Sequence, residues 1–144
     1  MSATTITVGT IRKGASCGGN GQLSVAGIGS TVTASGNLEV GVGKAESKGL
    51  VTIGVGSTMT VDGNADIGKV GRGSVVASGT MTVKGNASIG TGGGSGSLSV
   101  TGGKMRVGDV FIGDETKGSF GRLNVTNDGR LYSRGISLLR MTAL

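Results

Sequence analysis

The stretch GSLSVTGGKMRVGDVFIG, residues 96–113, contains three short apolar-x-apolar triplets. They are Leu98–Val100, Met105–Val107 and Val110–Ile112, and turns that contain glycine separate them. Because side chains alternate between the two faces of a β-strand, the first and third residues of a triplet share one face. Each triplet therefore predicts a very short strand with one apolar face, followed by a sharp bend.

The same order of triplets recurs along the chain. Each repeat opens with Gly-x-apolar-x-apolar, and the five openings lie at Gly21, Gly49, Gly73, Gly96 and Gly121. A regular period of roughly 20 to 50 residues is typical of solenoid proteins. We expect residues 1–20 to form a partial N-terminal coil or cap and residues 21–135 to form the repeats. Residues 136–144 would then form a C-terminal cap or an oligomer contact.

Three short strands joined by bends form a triangle, and stacked triangles form a parallel β-helix. Each strand then pairs with the equivalent strand of the next coil, which satisfies its backbone groups. The middle residues of the triplets, such as Ser24, Thr52 and Thr60, are mostly polar, as expected for side chains that face outward. The sequence therefore predicts an all-β protein, a right-handed, three-sided parallel β-helix of about five to six coils.

Glycine followed by Asn or Asp precedes the third strand of four repeats. These predicted corner turns are Gly36, Asn37, Gly63, Asn64, Gly85, Asn86, Gly108 and Asp109. Glycine accepts a positive φ without strain, and Asn and Asp tolerate it best among the other residues, so we expect left-handed corners. Stacked Asn side chains at one corner can also form a hydrogen-bonded ladder. We interpret these residues as architectural rather than as a ligand-binding nest.

The pieces GSLSVTGGKMRVGDVFIG and STMTVDGNADIG (residues 57–68) resemble the parallel β-helix repeat of bacterial autotransporter passenger domains. The repeat is most similar to the class associated with autotransporters and PEP-CTERM proteins, and the resemblance covers about residues 21–135. Similar repeats occur in secreted adhesins and in bacteriophage virion structural proteins. The resemblance implies a β-helix fold, and it is much less specific for function.

The composition excludes several kinds of site. The 144 residues include no histidine and one cysteine, so a Ser-His-Asp triad, a His-based metal site and an internal disulfide are excluded. The glycine-rich segment of residues 92–100 lacks the Asp of calcium-binding nonapeptides. GVGKAESKG, residues 41–49, lacks the spacing of a phosphate-binding P-loop. We expect no metal, no cofactor and no enzymatic activity.

Glu39 and Asp66 are the acidic pair that could act in catalysis. Both take the outward middle position of the third strand, in neighbouring repeats. Their backbones should lie roughly 5 Å apart, and paired carboxylates at short range cleave glycosides. The simpler interpretation is two solvated acids on a polar face, because Ser, Thr and Gly surround them. A glycan-degrading enzyme is therefore a remote alternative.

The charge pattern argues against nucleic acid and membrane as partners. The net charge is +6, but the 14 Lys and Arg residues are spread along the chain, and aromatic residues make up only 2%. Nucleic-acid binding requires clustered cations and stacking aromatics. No apolar run approaches the roughly 20 residues of a membrane span. MSATTITVG, residues 1–9, has no secretion signal, so we expect synthesis in the cytoplasm.

Apolar residues at outward positions predict a contact surface in the last two repeats. Phe111 and Tyr132 take middle positions of triplets, and Phe120 lies in a turn. The tail adds further apolar side chains, namely Leu139, Met141 and Leu144. Such residues either cap the solenoid or form a subunit contact. Cys17, if exposed, could form a disulfide between subunits.

Together these observations predict a non-catalytic structural protein. We expect a bacteriophage virion component, either a capsid decoration protein or a tail appendage, made in the host cytoplasm and assembled into the virion. It would form a homo-oligomer, with a trimer favoured, and contact other virion proteins. The alternative is an adhesin or an autotransporter passenger stalk at the bacterial cell surface, which would bind a cell-surface glycan.

Overall fold

A computed structural model of the chain describes residues 19–138 in full, together with the backbone of residues 2–3 and 6–8. All regular secondary structure in these residues is β-strand. The same residues contain no helix with the length and hydrophobicity to cross a membrane.

Short strands follow one another at close intervals along the chain. In chain order they are β1 (Ser2–Ala3), β2 (Ile6–Val8), β3 (Asn20–Val25), β4 (Thr31–Ala34), β5 (Leu38–Val40), β6 (Lys48–Ile53), β7 (Thr58–Val61), β8 (Ala65–Ile67), β9 (Arg72–Ala77), β10 (Thr80–Val83), β11 (Ala87–Ile89), β12 (Ser95–Thr101), β13 (Lys104–Arg106), β14 (Asp109–Ile112), β15 (Phe120–Thr126), β16 (Arg130–Tyr132) and β17 (Gly135–Leu138).

The strands form three parallel sheets. Sheet A has the order β1-β4-β7-β10-β13-β16, sheet B the order β2-β5-β8-β11-β14-β17, and sheet C the order β3-β6-β9-β12-β15. Every third strand belongs to the same sheet, so three consecutive strands make one coil, and the described residues hold five coils from β3 to β17. This confirms the predicted three-sided parallel β-solenoid, while its right-handed winding stays a prediction.

The register matches the alignment of the repeats. The glycine that opens each repeat pairs with the glycine of the next, so Gly21, Gly49, Gly73, Gly96 and Gly121 form one column of sheet C. Strand pairing thus joins residues that occupy equivalent positions in the repeat, as the sequence predicts.

Inward triplet residues fill the interior of the prism. Met59, Met81 and Met105 stack in adjacent coils and are fully buried. Leu98 and Ile89 in the other two sheets are equally inaccessible. Removing one such side chain from water stabilises the fold by about 1.5–3 kcal/mol. The narrow interior is therefore filled by aliphatic and Met side chains.

The Gly-Asn corners do not have the predicted left-handed conformation. Positive φ angles occur at other glycines, so this prediction was wrong for Gly36, Gly63, Gly85 and Gly108. Glycine is needed there for space instead. A Cβ on Gly63 or Gly85 would overlap the side-chain oxygen of the Asn one coil before, and on Gly108 it would lie 2.7 Å from Asn86 Oδ1.

The predicted Asn ladder is present, and it joins side chains to backbone. The amide of Asn64 donates to Asn37 Oδ1, that of Asn86 to Asn64 Oδ1, and that of Asp109 to Asn86 Oδ1, each at 2.9 Å. Asp109 then accepts a hydrogen bond from Arg134 Nη2 at 3.3 Å. One side-chain oxygen per coil thus satisfies the corner amide of the next coil.

Left-handed glycines lie at the opposite end of the third strand. Gly41, Gly68, Gly90 and Gly113 follow β5, β8, β11 and β14 and have φ angles of 65°, 72°, 68° and 72°. Gly41, Gly68 and Gly90 face the backbone that opens a sheet C strand, so a Cβ on Gly68 would overlap the Ser95 carbonyl oxygen. At this corner backbone packs directly on backbone, which only glycine permits.

Candidate functional surfaces

The C-terminal end of the solenoid exposes side chains that earlier coils bury. Val125, Ile136 and Leu138 take inward positions of the fifth coil, yet they are 43%, 55% and 69% exposed. Their partners one coil earlier are Val100, Val110 and Ile112, which are 0%, 0% and 8% exposed. Among the described residues no strand pairs with the outer edges of β15, β16 and β17. We call Val125, Ile136 and Leu138 the C-terminal apolar surface.

The aromatic residues predicted as contacts lie on three different sides of the prism. Phe111 is half-buried on sheet B, whereas Phe120 starts β15 of sheet C and Tyr132 ends β16 of sheet A. Tyr132 contacts Arg106, whose guanidinium carbon lies 5.4 Å from the ring centroid. These aromatics therefore do not form one continuous patch.

Several predicted positions are not described. Leu139, Met141, Leu144 and Cys17 lie outside the described residues, so the cap, the contact and the intermolecular disulfide stay predictions. Two members of the C-terminal apolar surface, Ile136 and Leu138, lie in the residues 136–144 that the sequence assigned to a cap or an oligomer contact. Val125 was not expected there, because its triplet position marks it as an ordinary inward residue.

Glu39 and Asp66 are register partners in β5 and β8, as predicted. Both side chains are half-buried, and Ser88 and Phe111 continue the same column. In the described part of the chain, no group of three or more His, Cys, Asp or Glu residues could hold a metal ion. The pair lies on the outer face of sheet B, and its geometry adds no feature that favours catalysis.

A groove runs over the start of the sheet C strands, and sequence analysis missed it. It has a volume of about 580 Å³ and is lined by Lys48, Gly49, Arg72, Gly73, Ser74, Ser95, Gly96, Ser97, Phe120 and Arg122. A second hollow of about 310 Å³ adjoins it and shares Lys48 and Gly49. We call the two together the sheet C groove. The signal in the sequence was a cation directly before the opening glycine in two successive repeats.

The loop of residues 113–119 lies next to one end of this groove. Asp114 accepts hydrogen bonds from the amides of Gly92 at 2.7 Å and Thr116 at 3.0 Å, and from the Ser119 hydroxyl. Burial raises the pKa of the Asp114 carboxyl, but these hydrogen bonds outweigh burial and hold the pKa below its usual value. Asp114 therefore fixes the loop that leads into Phe120.

Comparison with known proteins gives no relative: no protein-family model, no curated protein and no solved structure matches the chain.

Proposed function

We propose that the chain is a non-catalytic structural protein, a bacteriophage virion component that serves as a capsid decoration protein or a tail appendage. In this proposal it is made in the host cytoplasm, associates with itself as a homotrimer through its C-terminal end, and contacts other virion proteins. The repeat that it resembles supports this role, and so do two properties of the solenoid.

Rigidity is the first property. Each strand of the three middle coils pairs with strands on both sides, and the corners are hydrogen-bonded too. The Gly68 amide donates to the Val40 carbonyl at 2.7 Å, and the Gly63 amide donates to the Gly36 carbonyl at 2.9 Å. A body with hydrogen bonds through both its faces and its corners resists bending, which suits a protein that reinforces a shell or a fibre.

The C-terminal apolar surface is the second property and the observation that carries the proposal. Exposed apolar side chains, beside strand edges that have no partner among the residues 19–138, form a surface that favours association, because covering them removes apolar area from water and pairs backbone groups. Val125, Ile136 and Leu138 supply the apolar part, and β15, β16 and β17 supply the edges.

Sedimentation equilibrium tests the assembly. We expect a trimer for the wild type and a monomer for Ile136→Ser/Leu138→Ser. The matched control is Ile28→Ser/Val55→Ser, because these turn residues are 94% and 77% exposed but lie at the corner between sheets C and A. The control should remain trimeric. A monomeric wild type, or a trimer that tolerates Ile136→Ser/Leu138→Ser, contradicts the proposal.

The virion role has its own test. Mass spectrometry of gradient-purified virions from a phage that encodes the chain should detect it at many copies per particle. Its absence from particles, with the protein found on the bacterial cell surface instead, would favour the second candidate. That candidate is a surface adhesin or passenger stalk, and the cationic groove on sheet C is the observation that favours it.

A further inference from the structure

Two outward-facing columns of side chains form the walls of the sheet C groove. One column contains Lys48, Arg72, Ser95 and Phe120, and the other contains Leu50, Ser74, Ser97 and Arg122. Residues of each column are register partners in successive coils, so they recur about every 4.8 Å along the solenoid axis. The groove is therefore long and straight, and it follows the axis over several coils.

Positive charge is concentrated in this groove. The residues that line its larger part, all within the described chain, include three cations and no acid. Lys48 and Arg72 occupy register-paired positions, so two like charges lie side by side. Lys84 pairs with Asp62 and Arg134 pairs with Asp109, and neither of these ion pairs involves a cation of the groove. An anion bound there would relieve this repulsion.

The other wall residues indicate which kind of anion fits. Ser74, Ser95 and Ser97 offer hydroxyls that both donate and accept hydrogen bonds, as the hydroxyls of a sugar do. Phe120 is 55% exposed and offers a flat apolar face at one end. Single-stranded nucleic acid is bound by stacking successive bases on several aromatics, whereas this groove has a single one. Arg72 and Arg122 carry planar guanidinium groups, which match carboxylates in bidentate fashion.

We propose that the sheet C groove binds a linear acidic polysaccharide, with Lys48, Arg72 and Arg122 holding carboxylates of successive sugars and Phe120 packing against a sugar ring. Lys48 and Arg122 are three coils apart, so the cations span about 14 Å of the axis. That length requires a chain of several sugars and does not suit a single monosaccharide. The inference goes beyond the structural role and is independent of self-association.

Isothermal titration calorimetry with polygalacturonate tests the site. Fully methyl-esterified polygalacturonate of the same length is the matched ligand, because esterification removes the charge and keeps the sugar chain. We expect the wild type to bind the acid and not the ester. Lys48→Gln/Arg72→Gln should weaken binding by about tenfold or more, since each charged hydrogen bond contributes more than a neutral one.

The matched control is Lys104→Gln/Arg130→Gln. These two cations are also register partners in adjacent coils, but they lie on sheet A, and their removal lowers the net charge by the same amount. The control should bind like the wild type. Phe120→Ala should weaken binding several-fold without changing its salt dependence. Circular dichroism confirms that each variant is folded.

Three results would overturn the proposal. The first is that the wild type binds neither polymer, and the second is that both double variants lose affinity equally, which indicates nonspecific attraction. The third is tighter binding of oligothymidylate than of polygalacturonate, which would make the groove a nucleic-acid site. None of these results depends on whether the protein is a trimer, so failure here is distinguishable from failure of the assembly proposal.

Discussion

Substitution of Gly68 by alanine tests the claim that backbone packs directly on backbone at the corner between sheets B and C. Gly68 has a φ of 72°, and a Cβ there would overlap the Ser95 carbonyl oxygen and lie 2.8 Å from the Gly96 Cα. Two costs therefore add: the left-handed conformation and the steric overlap. The overlap cannot be relieved by rotating a side chain, because Ser95 and Gly96 belong to a paired strand.

Two further glycines separate the two costs. Gly29 has a φ of 82°, but no atom lies within 4 Å of a Cβ placed there, so Gly29→Ala is destabilised by the backbone conformation alone. Gly73 lacks a positive φ, but its Cβ would overlap the Val40 carbonyl oxygen and the Gly68 amide, so Gly73→Ala is destabilised by steric overlap alone. The three variants thus form a matched set.

The expected losses in the free energy of unfolding follow from these geometries. The left-handed conformation costs about 1–2 kcal/mol, partly offset by about 0.4–1 kcal/mol from a less flexible unfolded chain, so Gly29→Ala should lose about 1 kcal/mol. Overlap in a packed region costs about 1–3 kcal/mol, so Gly73→Ala should lose about 2 kcal/mol. Gly68→Ala should lose about 3 kcal/mol or more.

Urea unfolding followed by circular dichroism measures all three, with the slope of the transition checked for constancy. The expected order of loss is Gly68→Ala, then Gly73→Ala, then Gly29→Ala. The reasoning is refuted if Gly68→Ala and Gly29→Ala lose the same free energy within about 0.5 kcal/mol. In that case backbone conformation alone would explain the glycines at this corner.

The remaining predictions concern the Asn ladder and the loop at the groove. Asn64→Ala removes the acceptor of the Asn86 amide, so it should lower the free energy of unfolding in urea by about 1–2 kcal/mol and speed hydrogen exchange of the Asn86 amide. The control Asn124→Ala, on the exposed face, should change neither quantity. Equal exchange rates of the Asn86 amide in the two variants would contradict the ladder. The pKa of the Asp114 carboxyl is lower in the folded protein than its value of about 3.9 in the unfolded chain. Its contribution to stability is therefore present at pH values above the unfolded-state pKa and is lost as the pH falls through the folded-state pKa. Asp114→Asn should therefore be less stable than the wild type near pH 6 and lose that difference in acid, and a stability gap that stays constant with pH would argue against this role.

The fold was predictable because its determinants are local and repeated. Val75 and Ala77 share a face whatever the tertiary structure, since alternation along a strand is a property of the backbone. Five aligned copies of the pattern then set the register: Gly73 pairs with Gly49 and Gly96 at the positions that the alignment assigned. The side-chain direction and the pairing partner of most core residues follow from the sequence for this reason.

The surfaces were much less predictable, because they depend on which coils and corners meet. Phe111, Phe120 and Tyr132 are close in sequence, but the three-sided winding places them on sheets B, C and A. Lys48 and Arg72 look unremarkable within their own repeats, and only strand pairing makes them neighbours in a groove. Residues that are close in the chain lie on different sides of the solenoid, whereas residues that are neighbours along its axis come from different repeats.

The sequence by itself determined the strands, their inward faces, the register and the stacking of the Asn residues. Only the tertiary structure decided which glycines are left-handed. Gly63 and Gly68 lie within the same repeat, yet Gly63 is required for space beside Asn37 and Gly68 for its φ and its contact with the Ser95 carbonyl. The physical reason is that strand periodicity arises within a few residues of chain. The conformation of a corner is instead set by the backbone of another coil, more than 20 residues away in sequence, against which it packs.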